Sequence, residues 1–204
     1  MLGVINYGAG NYGSLCNALN FIEIPFKEIQ KAEDFDNVSR IILPGVGAFN
    51  HCMNRLKIQG ILERLKDEII NENKFFLGIC VGHQVLATIG TEFDVCEGLN
   101  LINGKVIKLE SSKKMPVPNI GWSEVFQNKD SPLFEGIKNN ATFYFVHSYY
   151  LETEDKAETL ATINYGSEIT AAANRGNIFG VQFHPEKSQK NGLKVLKNFS
   201  EMNL

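Results

Sequence analysis

The sequence has little of what small or exported folds depend on. Its four cysteines, Cys16, Cys52, Cys80 and Cys96, form no C-x-x-C pair and have no histidine at zinc-finger spacing, which argues against a disulfide scaffold and a structural zinc. Neither sign of charge is in excess: 20 Lys plus Arg stand against 23 Asp plus Glu, giving a net charge of -3. No long run of one sign exists to hold a nucleic acid or an acidic membrane by bulk electrostatics. No uncharged apolar stretch approaches the ~18 residues of a membrane span, and MLGVINYGAG lacks the basic and apolar regions of an export signal. A reducing, cytoplasmic location is expected, in which the sequons at Asn37, Asn140 and Asn198 carry no glycan. With 44% hydrophobic residues, and at roughly 150 residues per domain, 1–204 reads as a single domain with a sizeable core.

What is present is an alternation of short apolar runs with longer stretches of helical period, the pattern of an α/β protein with a mainly parallel sheet. Strands are expected over Leu2–Asn6, Pro25–Ile29, Arg40–Leu43 and Phe75–Ile79, and helices over Asn11–Phe21, Asn50–Asn71 and Gly82–Ile89. The second half differs. Val106–Leu109, Ser123–Phe126, Phe143–His147, Thr159–Ile163, Glu168–Asn174 and Ile178–Phe183 are strand-like with few helices between them, which predicts an antiparallel portion. Glu152–Glu158 reads as a solvated loop, and Lys190–Met202 as an amphipathic helix with Leu193, Val195, Leu196 and Phe199 on its core face.

The most specific local feature is Phe75-Phe76-Leu77-Gly78-Ile79-Cys80-Val81-Gly82-His83-Gln84, an apolar strand running into G-x-C-x-G. This is the cysteine form of a nucleophile elbow, in which glycines on either side let strand and helix approach at a strained turn. A helix N-terminus there would favour thiolate over thiol. The other three cysteines lack such a setting and read as packing residues. A cysteine nucleophile needs a base, and His184, 104 residues further on, ends the apolar strand of Gly180-Val181-Gln182-Phe183-His184-Pro185-Glu186-Lys187. Glu186 is placed to orient it. His51 reads as solvated or capping, and spacing does not decide whether His147 faces a site.

Two glycine-rich loops remain. Leu43-Pro44-Gly45-Val46-Gly47-Ala48-Phe49 follows a buried strand and is either a plain turn or a source of backbone N–H donors for an oxyanion. Gly8-Ala9-Gly10-Asn11-Tyr12-Gly13 matches the dinucleotide fingerprint in outline. Glu28 lies too near, however, and the chain is short for a dehydrogenase, so a partner-facing turn is the better reading.

Taken together these segments resemble the class I, triad-type glutamine amidotransferases. Asn6-Tyr7-Gly8-Ala9-Gly10-Asn11, Ile42–Phe49, Gly121-Trp122, Tyr144–Tyr149 and Gly180–Ser188 look like the glutaminase subunits of imidazole glycerol phosphate synthases. The resemblance implies a flavodoxin-like α/β class I glutamine amidotransferase domain with a mainly parallel central sheet, helices on both faces and an additional antiparallel portion. It implies hydrolysis of L-glutamine to glutamate and ammonia, without cofactor or metal. The ammonia would pass, within a heterodimer, to a (β/α)₈ cyclase subunit that makes imidazole glycerol phosphate and AICAR in histidine biosynthesis. Such glutaminases are nearly silent until the partner and its ligand are present.

Carried over by position, Cys80 would attack the amide, His184 would shuttle protons and Glu186 would orient His184. Gly45, Val46 and Gly47 match the oxyanion strand. Gln84, Glu92, His147, Ser148 and Tyr149 match positions that hold glutamine, and Asn11, Trp122, Tyr144 and Lys187 match positions near the subunit interface. His83, Asn119 and Ser123 stand where the family more often has Met, His and Asn. Those departures leave open a paralogous glutaminase that feeds another synthase, such as one amidating a nucleotide sugar. A cysteine-elbow deglycase or peptidase is the other alternative, and that class lacks the F-H-P-E pairing.

Overall fold

Leu2–Ile5 (β1) is buried along its whole length, as expected of a parallel strand covered on both faces. The same holds for most of Arg40–Gly45 (β3) and Phe75–Cys80 (β4). The computed structural model describes residues 1–8, 11–113 and 115–202. In chain order the first half contains β1, α1 (Tyr12–Phe21), β2 (Phe26–Ile29), β3, α2 (Phe49–Ile58), α3 (Leu62–Ile70), β4, α4 (Val81–Gln84), β5 (Ile89–Gly90) and β6 (Cys96–Glu97). The second half adds β7 (Gly104–Lys108), β8 (Asn119–Gln127), β9 (Ala141–His147), β10 (Tyr149–Thr153), β11 (Thr159–Asn164), β12 (Glu168–Arg175), β13 (Ile178–Val181) and α5 (Gln189–Glu201).

Nine strands form one sheet in the order β2-β1-β3-β4-β13-β12-β11-β8-β9. The pairings from β2 to β13 are parallel, and those from β13 to β9 are antiparallel. The predicted parallel core and antiparallel addition are therefore two continuous halves of one mixed sheet. A second sheet, β10-β7-β5-β6, packs beside it. The decisive connection is β13, which returns from the antiparallel half to lie parallel to β4 with Val181 level with Ile79. That register sets Gln182 and the residues after it beside Cys80.

Three expectations change. The single helix predicted over Asn50–Asn71 is two, because Gly60 adopts φ +71 and ends α2 in a Schellman motif, with Gly60 N–H bonding Lys57 O and Ile61 N–H bonding Leu56 O. The helix predicted over Gly82–Ile89 stops at Gln84. The carbonyls of Val85, Leu86 and Ala87 are taken instead by the N–H groups of Leu99, Leu101 and Asn100, so the chain leaves the helix to pair with the 98–102 segment. The charged stretch Glu152–Glu158 begins inside β10, where Glu152 sits opposite Lys105 and pairs with it at 3.2 Å, whereas residues 154–157 are exposed beyond the strand, as expected of a solvated loop. In α5, Val195, Leu196 and Phe199 are buried and Leu193 packs partly buried against them, as the helical period predicted.

Candidate active site

Cys80 ends β4 at φ 54 and ψ -108, a conformation unusual for any residue with a side chain. The turn exists because its flanks are bare. A Cβ on Gly78 would stand 2.2 Å from Gly82 O, and one on Gly82 would stand 2.0 Å from Leu43 O. Both glycines are therefore required by direct backbone contact, which confirms the elbow read from the sequence. Since α4 is only one turn long, its dipole has less to offer the sulfur than the predicted longer helix, and side chains also face the sulfur.

Those side chains arrive from β13 and the turn after it. His184 is 2% exposed, donates its Nδ1–H to Glu186 Oε1 at 2.8 Å, and presents its other face to Cys80. The turn that carries it is pinned to β9: His184 N–H bonds Tyr144 O, the Ser188 hydroxyl bonds His184 O, and Tyr144 N–H bonds Ser188 Oγ. Burial alone would depress the imidazole, but hydrogen bonds and charge from Cys80 and Glu186 outweigh it and raise His184 to about 10. Burial likewise disfavours the Glu186 carboxylate, and the same His184 contact together with Asn11 reverses this and holds it below its ordinary value. An imidazolium between a carboxylate and a sulfur is the electrostatic arrangement of a Cys-His-acid triad.

The triad opens into a cleft of about 490 Å³ lined by Val46, Gly47, Ala48, Cys80, Gln84, Glu92, Ser148, Tyr149 and His184 among others. A cleft of about 590 Å³ elsewhere, beside α2 and α3, is lined by Cys96 with Glu63 and Glu97 but by no histidine, and burial together with Glu97 pushes that thiol up, so chemistry rather than size singles out the first. Glu92 caps α2, its Oε2 accepting from Phe49 N–H at 3.0 Å. Gln84 Nε2 donates both to Tyr149 O at 2.8 Å and to Gln182 Oε1 at 3.0 Å, which leaves its Oε1 for a ligand. Gly45 is level with Cys80, and Gly47 has φ +99 with open space where a Cβ would be.

The family profile described as "Glutamine amidotransferase class-I" matches residues 9–202. The chain is 40% identical to the imidazole glycerol phosphate synthase subunit HisH of Leptospira borgpetersenii, covering 99% of this chain and 100% of that one. It is 42% identical to subunit HisH 1 of Campylobacter jejuni strain RM1221, covering 98% of each. The chain belongs to the class I glutamine amidotransferase family. Among solved structures, PurLQS from Thermotoga maritima superposes with a TM-score of 0.75 at 20% identity, covering 97% of this chain and 96% of that one. A glutamine amidotransferase from the same organism does so with a TM-score of 0.65 at 16% identity, covering 97% and 81%. These likenesses show that the amidotransferase fold is the one adopted here.

Several amidotransferase positions take on more definite roles in the structure. Asn11, grouped by resemblance with the interface, donates its Nδ2–H to Glu186 Oε1 at 2.8 Å and so buttresses the triad. The loop before it includes Ala9 and Gly10, which lie outside the described residues. His147 bonds Tyr149 O through Nδ1 at 2.9 Å and Asn119 Nδ2 through Nε2 at 3.1 Å, so both ring nitrogens are engaged. A carbonyl only accepts and an amide nitrogen only donates, which fixes the proton on Nδ1. Burial pushes this imidazole down to about 4. Trp122 lies across from Tyr144 in the β8–β9 ladder, with ring centroids 5.8 Å apart. Lys187 Nζ is 6.0 Å over the Tyr144 ring. Ile120, Trp122 and Phe126 make an exposed apolar stripe on the same strand.

Two residues beside Cys80 have settings that the sequence did not disclose. Gln182 lies within the motif that delivers His184, but nothing in its spacing says that its side chain turns toward Cys80. His83 is fully buried with both ring nitrogens unpartnered, and burial with the nearby His147 pushes it down to about 3. Among the described residues no group of three His, Cys, Asp or Glu side chains is placed to hold a metal, and no helix is long and apolar enough to cross a membrane.

Proposed function

We propose that this chain is the glutaminase subunit of an imidazole glycerol phosphate synthase, hydrolysing L-glutamine and passing ammonia to a (β/α)₈ cyclase subunit in histidine biosynthesis. The observation that carries the reading is a buried Cys80-His184-Glu186 triad opening into a cleft that also presents Glu92 and Gln84. Glutamine enters with its α-ammonium toward the free oxygen of Glu92 and its main-chain groups against Gln84 and the Ser148-Tyr149 backbone. His147, with both nitrogens engaged, shapes this wall without contacting the substrate through its ring.

The Cys80 sulfur attacks the side-chain amide carbon, and the carbonyl electrons move onto oxygen. Backbone N–H groups of the Gly45–Gly47 segment receive that oxyanion. His184 gives its proton to the departing nitrogen, and ammonia leaves a glutamyl thioester. Water then attacks the thioester carbon and gives a proton to His184, and the sulfur leaves as glutamate forms. Glu186 keeps the imidazole aligned and stabilises its charged form through both steps.

The exposed stripe of Ile120, Trp122 and Phe126, with Tyr144 and Lys187 beside it, supports docking of the cyclase near the cleft. Coupling between the two active sites follows if the docked partner and its ligand set the Gly47 peptide, whose positive φ only glycine adopts readily. The four free thiols suit a reducing cytoplasm. Glutamate release from glutamine is measured with the chain alone and with its genome's own cyclase subunit plus that subunit's nucleotide ligand, with Cys80→Ala as the blank. A large ligand-dependent stimulation that vanishes in the blank is expected. Release that stays flat with that cyclase contradicts the partner, and release that survives Cys80→Ala contradicts the chemistry.

A further inference from the structure

We propose that Gln182 is a further catalytic residue, whose side-chain N–H donates to the Cys80 sulfur and holds it as an anion, in an orientation dictated by Gln84 and the Tyr149 carbonyl. The inference rests on Cys80 being the nucleophile. Gln182 is 0% exposed and follows β13 directly, at the level where β4 ends in Cys80. Its main chain is fixed by Gln182 N–H bonding Ala171 O at 2.8 Å. A buried primary amide must place both a donor pair and an acceptor, and this one has Gln84 on one side at 3.0 Å and Cys80 Sγ on the other at 3.7 Å.

Which end faces the sulfur follows from chemistry. Tyr149 O accepts only, so the Gln84 atom 2.8 Å from it is Nε2. That nitrogen can meet only an acceptor on Gln182, which turns Gln182 Oε1 toward Gln84 and Nε2 toward the sulfur. The carbonyl is itself held by the Nδ1–H of His147 at 2.9 Å. Every donor and acceptor from β10 to the sulfur is thereby assigned, and flipping either amide would set like atoms against each other. On its other side the sulfur lies 3.8 Å from Val146 O, an acceptor for the thiol proton. The thiol is served by a carbonyl and the thiolate by an amide, so Gln182 favours the reactive form.

The test is the pH profile of iodoacetamide alkylation at Cys80 in the full chain, read by peptide mass spectrometry with Cys16 and Cys96 as references in the same sample. In Gln182→Met, which keeps the length and loses the donor, Cys80 labelling at pH 7 should fall about tenfold with the profile displaced to higher pH and its alkaline plateau kept. Gln182→Glu, of the same shape and able to carry charge, should fall further, and it keeps the test open if the Met variant does not fold. Gln84→Met, which frees the amide to turn, should produce a smaller fall. A structural role would lower the melting temperature and leave the profile of the folded protein in place, and that result overturns the proposal. Wild-type protein that releases no glutamate with its partner contradicts the glutaminase reading instead, and the alkylation profile still decides whether Gln182 acts on the thiol.

Discussion

The parallel half of the sheet builds its part of the site from backbone, whereas the antiparallel half builds its part from side chains. In the first, β3 and β4 run so close to α4 that Gly78 and Gly82 touch neighbouring main chain, and Cys80 is held by the turn itself. In the second, His184 is held by Glu186, itself braced by Asn11, and by Ser188, through hydrogen bonds that single substitutions can remove. Substitutions in the two halves should therefore fail in different ways. A Cβ at Gly78 or Gly82 should destabilise the chain, and loss of the hydrogen bonds around His184 should leave a folded chain that does not work.

The largest expected effect is Glu186→Gln, which keeps shape and loses the charge facing the imidazole. Stimulated kcat should fall by about 10³-fold in a chain that circular dichroism shows still folded, its unfolding midpoint lowered only by the lost ion pair with His184. Equal loss of folding would erase the distinction between the halves. Gly82→Ala should cost about 3 kcal/mol in urea unfolding, because its Cβ meets Leu43 O and β3 must move.

The histidines divide by burial and partner rather than by half of the sheet. Below the ordinary imidazole value, near 6.5, the unfolded chain takes up protons that buried His83 and His147 refuse until about 3 and about 4. Stability should therefore fall as pH drops from neutral, by about 2 kcal/mol for each ring at pH 5. His184 behaves oppositely, since its raised value gives stability that is complete below 6.5 and is lost as pH rises through about 10. His83→Met should flatten the acid side and raise stability at pH 7 by about 1 kcal/mol, because two buried ring nitrogens lack partners. An unchanged acid limb would contradict the neutral buried state. The smallest effect is Gly47→Ala, where no neighbour blocks the Cβ and only φ +99 is penalised. A cost of about 1 kcal/mol in stability, with a larger loss of stimulated than of basal glutamate release, is expected.

The same division explains what could be read beforehand. The parallel half is made of local units, each strand followed by its helix, and apolar runs with glycine punctuation reveal them; the elbow at Cys80 is visible as spacing alone. The break at Gly60 was hidden because Asn50–Asn71 keeps a helical period across a glycine that actually terminates a helix. Early loss of α4 was hidden for another reason, since the partners of Val85 to Ala87 lie in the 98–102 segment and no local signal reports them. The roles of Asn11, Asn119 and Gln182 depend on strands that meet only in the fold. Asn119 faces His147 through the β8–β9 register, and Gln182 faces Cys80 through the β13–β4 register.

In the proposed mechanism β13 delivers His184 to Cys80 to make one nucleophilic site. Reaction of the chain, together with the proposed cyclase subunit, with a diazoketone analogue of glutamine followed by peptide mapping tests this most directly. A single adduct on Cys80, protected by glutamine and strongly slowed in His184→Ala, is the expected result. An adduct on Cys16, Cys52 or Cys96, or labelling of Cys80 indifferent to the loss of His184, would contradict it.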